Sequence, residues 1–317
     1  MAIFLRESDV EKLADIQIAL DAVEMALRLQ GEGQAENIPR RRCRLGRGYL
    51  HVMSASLPAF GVAGLKTYTT MEGKARFLLY LYRATDGVLL AAMEADKLGQ
   101  LRTGAASGVA TKFMAKRDAS RVGIFGAGWQ ARAQLEGVCA VRTIQTITAW
   151  SRTSEKLGEF CTEMTTKLGI TVQPAASPEE AAKDKDIVIT ATTAKEPVVM
   201  GDWLAQGTHI NAIGANFLTR QELDVEVVRR CACVIVDSAE QAALESGDLA
   251  RAAEAGEFFW EDARELGTVV TGEYPGREDD SEITLFKSHG IALEDMALAA
   301  RVYEAAVKAR IGEKLSL

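Results

Sequence analysis

Residues 122–131 read Val122-Gly-Ile-Phe-Gly126-Ala-Gly128-Trp-Gln-Ala131. A short apolar run, suited to a buried strand, passes into G-x-G-x-x-A, and helix-forming residues follow. In such a turn the first glycine, Gly126, permits the tight bend. Gly128 lets the backbone approach a pyrophosphate, and Ala131 keeps the helix close to the sheet. The helix that opens there offers unpaired N–H groups to an anion. The stretch predicts a dinucleotide site on Gly126, Ala127, Gly128, Trp129, Gln130 and Ala131, against the alternative of a βα turn that binds nothing.

Downstream, strand-like runs at 122–125, 146–150, 187–191, 209–213 and 233–236 alternate with helical segments that include 130–138 and 154–168. Alternation of this kind predicts a parallel sheet with crossover helices, an α/β Rossmann domain. The end of its second strand, roughly 20–25 residues past the turn, selects the cofactor. It reads Ser151-Arg152-Thr153. No carboxylate is present to bind a ribose 2′-hydroxyl or repel a 2′-phosphate, Arg152 can pair with that phosphate, and Ser151 and Thr153 can donate to it. NADPH (NADP) is therefore expected over NADH, with NADH possible. The competing reading of Arg152 is a solvated residue at the start of the next helix.

Upstream the texture differs. Residues 8–29 read as one helix capped by Ser8 or Asp9, and the Gly- and Arg-rich stretch 31–48 as a loop with at most one strand. Runs at 49–55, 62–68, 77–82 and 88–93 are too closely spaced for crossovers and predict antiparallel neighbours. A small-residue helix follows at 98–116, and an amphipathic helix at 293–309 closes the chain. The expected division is an α+β substrate domain, residues 1–117 with 293–317, and a Rossmann domain, residues 118–292.

Composition narrows the class. The chain has 317 residues, 48% of them apolar, and 37 Lys and Arg against 44 Asp and Glu give a net charge of −7. That acidic balance argues against a nucleic-acid partner. No run approaches the roughly 18–20 apolar residues of a membrane span. The opening MAIFLRESDV turns acidic too soon for a signal peptide. Five cysteines are too few, and odd in number, for a disulfide framework, so a cytoplasmic protein with reduced thiols is expected. Cys231 and Cys233 share a C-x-C spacing, yet no neighbouring Cys or His completes a site, and no metal is expected.

Cations stand out against this background. Pro39-Arg40-Arg-Arg42-Cys-Arg44 reads mostly as a solvated loop, with one or two arginines free to enter a cleft. Lys66, in Gly64-Leu65-Lys66-Thr67, lies in an apolar strand where an unpaired ammonium is costly. Arg102, in Leu101-Arg102-Thr103-Gly104, opens the small-residue helix. Converging, the three would hold a carboxylate. Of the histidines, His51 faces a cleft or pairs across its sheet, His209 is structural, and His289 sits in a turn where it meets substrate or only backbone. Asp295 favours the dipole of the last helix or reaches the active site. The acid-rich stretch 273–282 reads as a solvated loop.

Taken together, Gly64-Leu-Lys66, Leu101-Arg102-Thr103-Gly104-Ala-Ala106, Gly126-Ala-Gly128-Trp-Gln130-Ala131, His209-Ile-Asn211-Ala-Ile-Gly214 and Leu285-Phe-Lys287-Ser288-His-Gly290-Ile-Ala-Leu-Glu-Asp295 resemble the ornithine cyclodeaminase/mu-crystallin family over nearly the whole chain. The resemblance implies a homodimer joined through the first domain's sheet. It places the substrate carboxylate on Arg40, Lys66 and Arg102, and the nicotinamide end near Thr192, Gly214, Ser288 and Gly290. One departure bears on activity: Asn216 stands where cyclodeaminases carry an Asp, and an amide cannot take a proton as a carboxylate does. Within the family the cyclodeaminases look NAD-using and the ketimine reductases NADPH-using. The resemblance thus implies NADPH-dependent reduction of the C=N bond of a ketimine or α-imino acid. Lys66 and Arg102 would be catalytic, and Arg40, His51, Asn216 and His289 would contact the substrate. Alternatives are an alanine-type amino-acid dehydrogenase, an ornithine cyclodeaminase, and an NADPH-binding protein with little turnover.

Overall fold

The computed structural model describes residues 2–316. The chain divides into two compact units, one made of residues up to 105 together with those from 290 onward, the other Ala106–His289.

The first unit opens with strand β1 (Ala2–Leu5) and helices α1 (Glu7–Leu13) and α2 (Ile16–Gly31). The single helix expected over 8–29 is thus two. Ala14 and Asp15 are extended, and the Asp15 carboxylate accepts the Ile18 N–H at 2.8 Å, capping a new helix. Strands β2 (Glu36–Leu45), β3 (Gly48–Leu57), β4 (Val62–Met71), β5 (Lys74–Arg83) and β6 (Leu89–Glu94) follow as antiparallel neighbours, and then helix α3 (Asp96–Met114).

The arginine-rich segment expected as a loop is therefore mostly strand. It forms the edge of its sheet, hydrogen-bonded to β3. Its register slips between Ile38 and Arg41, so Pro39 and Arg40 together oppose Met53. Proline has no N–H to give a ladder, and a bulge is where a strand tolerates it. The slip turns Arg40 inward to 5% exposure while Arg41 and Arg44 stay exposed.

The second unit runs β7 (Arg121–Phe125), α4 (Trp129–Val141), β8 (Thr146–Trp150), α5 (Ser154–Leu168), β9 (Val172–Pro174), α6 (Pro178–Ala182), β10 (Ile187–Thr190), β11 (His209–Ala212), α7 (Val225–Arg230), β12 (Cys231–Val236), α8 (Ala239–Glu245), α9 (Gly247–Glu254), β13 (Arg264–Glu265), α10 (Leu266–Thr271) and β14 (Ile283–Lys287). Its strands form one parallel sheet in the order β9-β8-β7-β10-β11-β14-β12-β13. The order reverses between β7 and β10, which makes the carboxyl ends of those two strands the switch point where such sheets bind ligands.

Alternate residues build a core on each face. Val122, Ile124, Ile187 and Ile189 pack with Leu135, Phe160 and Met164 on one side. Phe125, Val188 and Ile210 pack with Leu223, Val227 and Leu249 on the other. The 273–282 stretch is a loop with inward ties that its acidity hid. Arg277 donates from Nε to the Met114 carbonyl at 2.7 Å, near the end of α3.

The chain returns to the first unit with α11 (Ala292–Ala309) and β15 (Glu313–Leu315). That unit's sheet then reads β15-β1-β6-β5-β4-β3-β2. Helix α11 packs against α2 and against the inner face of β3 and β4. A Cβ on Gly64 would sit 2.5 Å from the Met296 sulfur, so this glycine admits the helix. Among the described residues no helix is long and apolar enough to cross a membrane.

Candidate active site

The cofactor site grows from β7. Gly126 has φ +108°, and a Cβ there would lie 2.4 Å from the Ala191 carbonyl oxygen, so both conformation and space demand glycine. Its N–H donates to the Trp150 carbonyl at 2.8 Å, tying the turn to the end of β8. At Gly128 a Cβ would meet nothing within 4 Å. It would instead point into open space, where its absence leaves the backbone open to close approach.

A cleft of about 240 Å3 is lined by Gly126, Ala127 and Gly128 from the turn, by Ser151, Arg152 and Thr153 after β8, and by Thr192 after β10. Lys156 joins it from α5. The residues fit a dinucleotide: glycine where phosphates approach, the N-terminus of α4 behind, two cations and no acid beyond β8. Trp129, Gln130 and Ala131 open α4 but do not line the cleft. Ala131 is fully buried in the core beneath it.

Other expected cofactor residues stand on a buried polar network. The Gly214 N–H donates to Glu222 Oε2 at 2.8 Å, and Thr192 donates to Glu222 Oε1 from both N and Oγ1 at 2.7 Å. Ser288 Oγ donates to Asp237 Oδ2 at 2.9 Å, the His289 N–H donates to the same oxygen at 2.7 Å, and the buried His289 ring lies 3.6 Å from Asp237 Oδ1. Asn216 sits half-buried in the loop after β11. Gly290 falls in the first unit, where its carbonyl accepts from Arg40 Nη2 at 3.0 Å.

The cations gather in the first unit. Lys66 lies on the inner face of β4, 2% exposed, and its Nζ is 2.8 Å from Asp295 Oδ1. Arg102, in the second turn of α3, reaches the same oxygen from Nε at 3.1 Å and Glu294 Oε2 from Nη1 at 2.9 Å. Both carboxylates are fully buried in the first turn of α11, where they also suit its dipole. Two glycines make room. A Cβ on Gly99 would stand 2.8 Å from Lys66 Nζ, and one on Gly290 would stand 2.4 Å from Arg102 Nη1. Burial pushes the Lys66 ammonium down from its ordinary value; Asp295 opposes this, and Arg102 and Arg40 add to it.

Sequence reasoning left Asp295 open and missed Glu294, although two acids inside the apolar ALEDMALAA stretch signal buried cationic partners. It also missed Lys156 and Glu222.

His51 stacks on Tyr68, with ring centroids 4.1 Å apart and planes 2° from parallel, and its Nε2 is 3.0 Å from Thr70 Oγ1. Burial, then Arg42 and Arg40, hold its pKa down to about 4. His209, bonded through Nδ1 to Thr284 Oγ1 at 2.9 Å, is pushed down to about 3, chiefly by burial. Both imidazoles are neutral in the folded protein at pH 5–7, whereas the unfolded chain protonates them near pH 6.5. Their folded pKa values are depressed, so their contribution is complete above pH 6.5 and is lost as pH falls towards the folded values. Unfolding free energy should therefore decline from pH 6.5 towards 4 with a slope near one proton per histidine, roughly 1.4 kcal/mol per pH unit each. Urea titrations of the His209→Gln protein should show that slope reduced; an unchanged slope would mean that His209 takes up its proton while folded.

A Rossmann cleft with a cationic rim and a buried cluster of cations and carboxylates fit an NAD(P)-dependent oxidoreductase. The chain belongs to the ornithine cyclodeaminase/mu-crystallin family, whose profile matches residues 1–310. It is 37% identical over 324 residues to the alanine dehydrogenase of Archaeoglobus fulgidus, covering 99% of this chain and 98% of that one. Its structure superposes with a TM-score of 0.95 on that of Thermococcus litoralis Delta(1)-pyrroline-2-carboxylate reductase in complex with NADH and L-proline, at 36% identity and with 99% and 100% of the two chains covered. Against an archaeal alanine dehydrogenase dimer with bound NAD the TM-score is 0.94, at 35% identity and with 100% and 99% covered.

Proposed function

We propose that the protein reduces the C=N bond of a ketimine or α-imino acid with NADPH. The observation that carries this is the charge balance of the first unit's cluster. Arg40, Lys66 and Arg102 are three buried cations set against two buried carboxylates, Glu294 and Asp295. A substrate carboxylate would add a further counter-charge to this cationic cluster, and arginine suits its bidentate geometry. Bound at the second unit's cleft, the reduced nicotinamide supplies the hydride that becomes the new C–H bond. The C=N π pair then passes to nitrogen. Lys66, its ammonium destabilised by burial, is placed to hold or donate the proton that nitrogen needs, and Arg102 holds the carboxylate. The relative with bound L-proline supports a cyclic secondary amine as the product class.

NADPH is favoured because Arg152 and Lys156 line the cleft with no acid beside Ser151. Losing one charge-assisted contact of this kind costs about 1.5–3 kcal/mol. Arg152→Ala should therefore weaken NADPH binding roughly tenfold or more and leave NADH binding nearly unchanged. Fluorescence titration with both cofactors tests this; equal losses for the two would remove Arg152 from the 2′-phosphate.

A homodimer is the proposed assembly, supported by the dimeric relative and by exposed apolar side chains on the first sheet, Ile38, Val52 and Met71. A cytoplasmic location is supported by five free cysteines.

The deciding experiment follows NADPH oxidation at 340 nm with pyrroline-2-carboxylate, piperideine-2-carboxylate, and pyruvate with ammonia. Turnover on a cyclic imine supports the proposal. Turnover only with pyruvate and ammonia moves the protein to the alanine-type dehydrogenases, the reading favoured by its full-length likeness to the Archaeoglobus enzyme.

A further inference from the structure

Glu222 lies in the loop between β11 and α7, is fully buried, and does not line the cofactor cleft. Its carboxylate gathers four donors from two separate strand ends. Oε1 accepts the Thr192 N–H and the Thr192 hydroxyl, both at 2.7 Å. Oε2 accepts the Thr190 hydroxyl at 2.9 Å and the Gly214 N–H at 2.8 Å. The cage is close-packed: a Cβ on Gly214 would stand 2.3 Å from the Thr192 carbonyl oxygen and 2.4 Å from Glu222 Oε1. Glu222 is itself anchored, because its N–H and that of Leu223 donate to Asp248 Oδ1 at 2.7 and 2.9 Å. Asp248 Oδ2 in turn pairs at 2.9 Å with Lys287, and both side chains are fully buried. One charge chain thus fixes the carboxyl ends of β10, β11 and β14.

Thr192 is where this chain meets the cleft. It lines the cleft directly, and its methyl group lies 3.4 Å from where a Cβ on Gly126 would stand. In a doubly wound sheet the dinucleotide crosses the switch point. One mononucleotide half lies on the β7–β8 side, and the other half lies on the β10–β11 side. Arg152 marks the first side as the adenosine half, so the nicotinamide half falls over the ends of β10 and β11, the two segments that Glu222 ties together.

We propose that Glu222 is the positioning residue of the nicotinamide half-site, acting through Thr192 and Gly214 without touching the cofactor. This rests on the cofactor reading above and deepens it. The geometry makes even an isosteric change harmful. Each carboxylate oxygen accepts a main-chain N–H, whereas an amide has one oxygen and one NH2 group. Either orientation of glutamine therefore sets a donor against the N–H of Thr192 or of Gly214.

The test titrates folded Glu222→Gln protein with NADPH and, separately, with 2′-phospho-ADP-ribose, which lacks the nicotinamide. Loss of the half-site should raise the NADPH Kd at least tenfold and change the fragment's Kd less than threefold. Equal weakening of both ligands, as from a general loss of structure, overturns the proposal, and so does wild-type affinity for NADPH. If Glu222→Gln does not fold, Thr190→Val serves. Thr190 is fully buried and gives Glu222 only its hydroxyl, so a smaller split, about threefold for NADPH and none for the fragment, is expected. No split there overturns the proposal. Binding is read without substrate, so a wrong substrate class leaves the test intact. A wrong cofactor preference shows in the wild-type protein alone, as tighter binding of NADH.

Discussion

Lys66→Met should lower kcat/KM for the imino acid by about three orders of magnitude, within the range removed with a positioned proton donor, and leave NADPH affinity within twofold. The reasons are spatial. Lys66 is buried in the first unit among Asp295, Arg102 and the Phe77 ring, whose centroid lies 5.2 Å from Nζ, while the dinucleotide cleft is lined wholly by the second. Methionine keeps the length and apolar stem of lysine, so packing on β4 persists, and Asp295 retains Arg102. Steady-state rates, an NADPH titration and a melting curve on one preparation separate the outcomes. Retention of kcat/KM within tenfold would remove Lys66 from the chemistry. Loss of carboxylate binding by a protein that never turned over would favour a binding function.

Asp295→Asn should cost about 3–5 kcal/mol of stability, the effect of removing one partner from a buried ion pair. Asp295 Oδ1 serves both Lys66 and Arg102, so the neutral amide removes the carboxylate charge that these two buried cations share. The exposed pair Arg301–Glu304 gives the contrast: at 45% and 58% side-chain exposure, Glu304→Gln should change stability by no more than about 1 kcal/mol. Urea unfolding of both variants makes the comparison. A cost below about 1 kcal/mol for Asp295→Asn would show that water reaches the cluster.

The contrast between these clusters explains what the sequence disclosed. The glycine turn was legible because strand, turn and helix are local, and each residue type has its own steric reason. Lys66 was legible because an ammonium in an apolar strand needs a partner. Arg40 was not separable from its neighbours by charge. Pro39 beside it held the signal, since a proline within a strand points to a bulge, and the register slip there turns Arg40 inward. The break at Asp15 was hidden because its neighbours continue a helical pattern across a residue that is also a good cap. Glu222 gave no signal at all. Its partners are main-chain and hydroxyl groups, those of Thr190 and Thr192 32 and 30 residues away and that of Gly214 eight, and no side-chain pattern announces an acid whose task is to gather N–H groups.

Gly99 has a consequence on another timescale. The site needs nothing from it chemically, yet a Cβ there would stand 2.8 Å from the Lys66 ammonium, which would have to shift to admit it. Over generations the two positions constrain each other: alanine at 99 requires the flexible end of Lys66 to move aside, or another residue in its place. A glycine that neither binds nor reacts thus becomes a record of ancestry. Its replacement would mark a chain in which the end of Lys66 lies elsewhere.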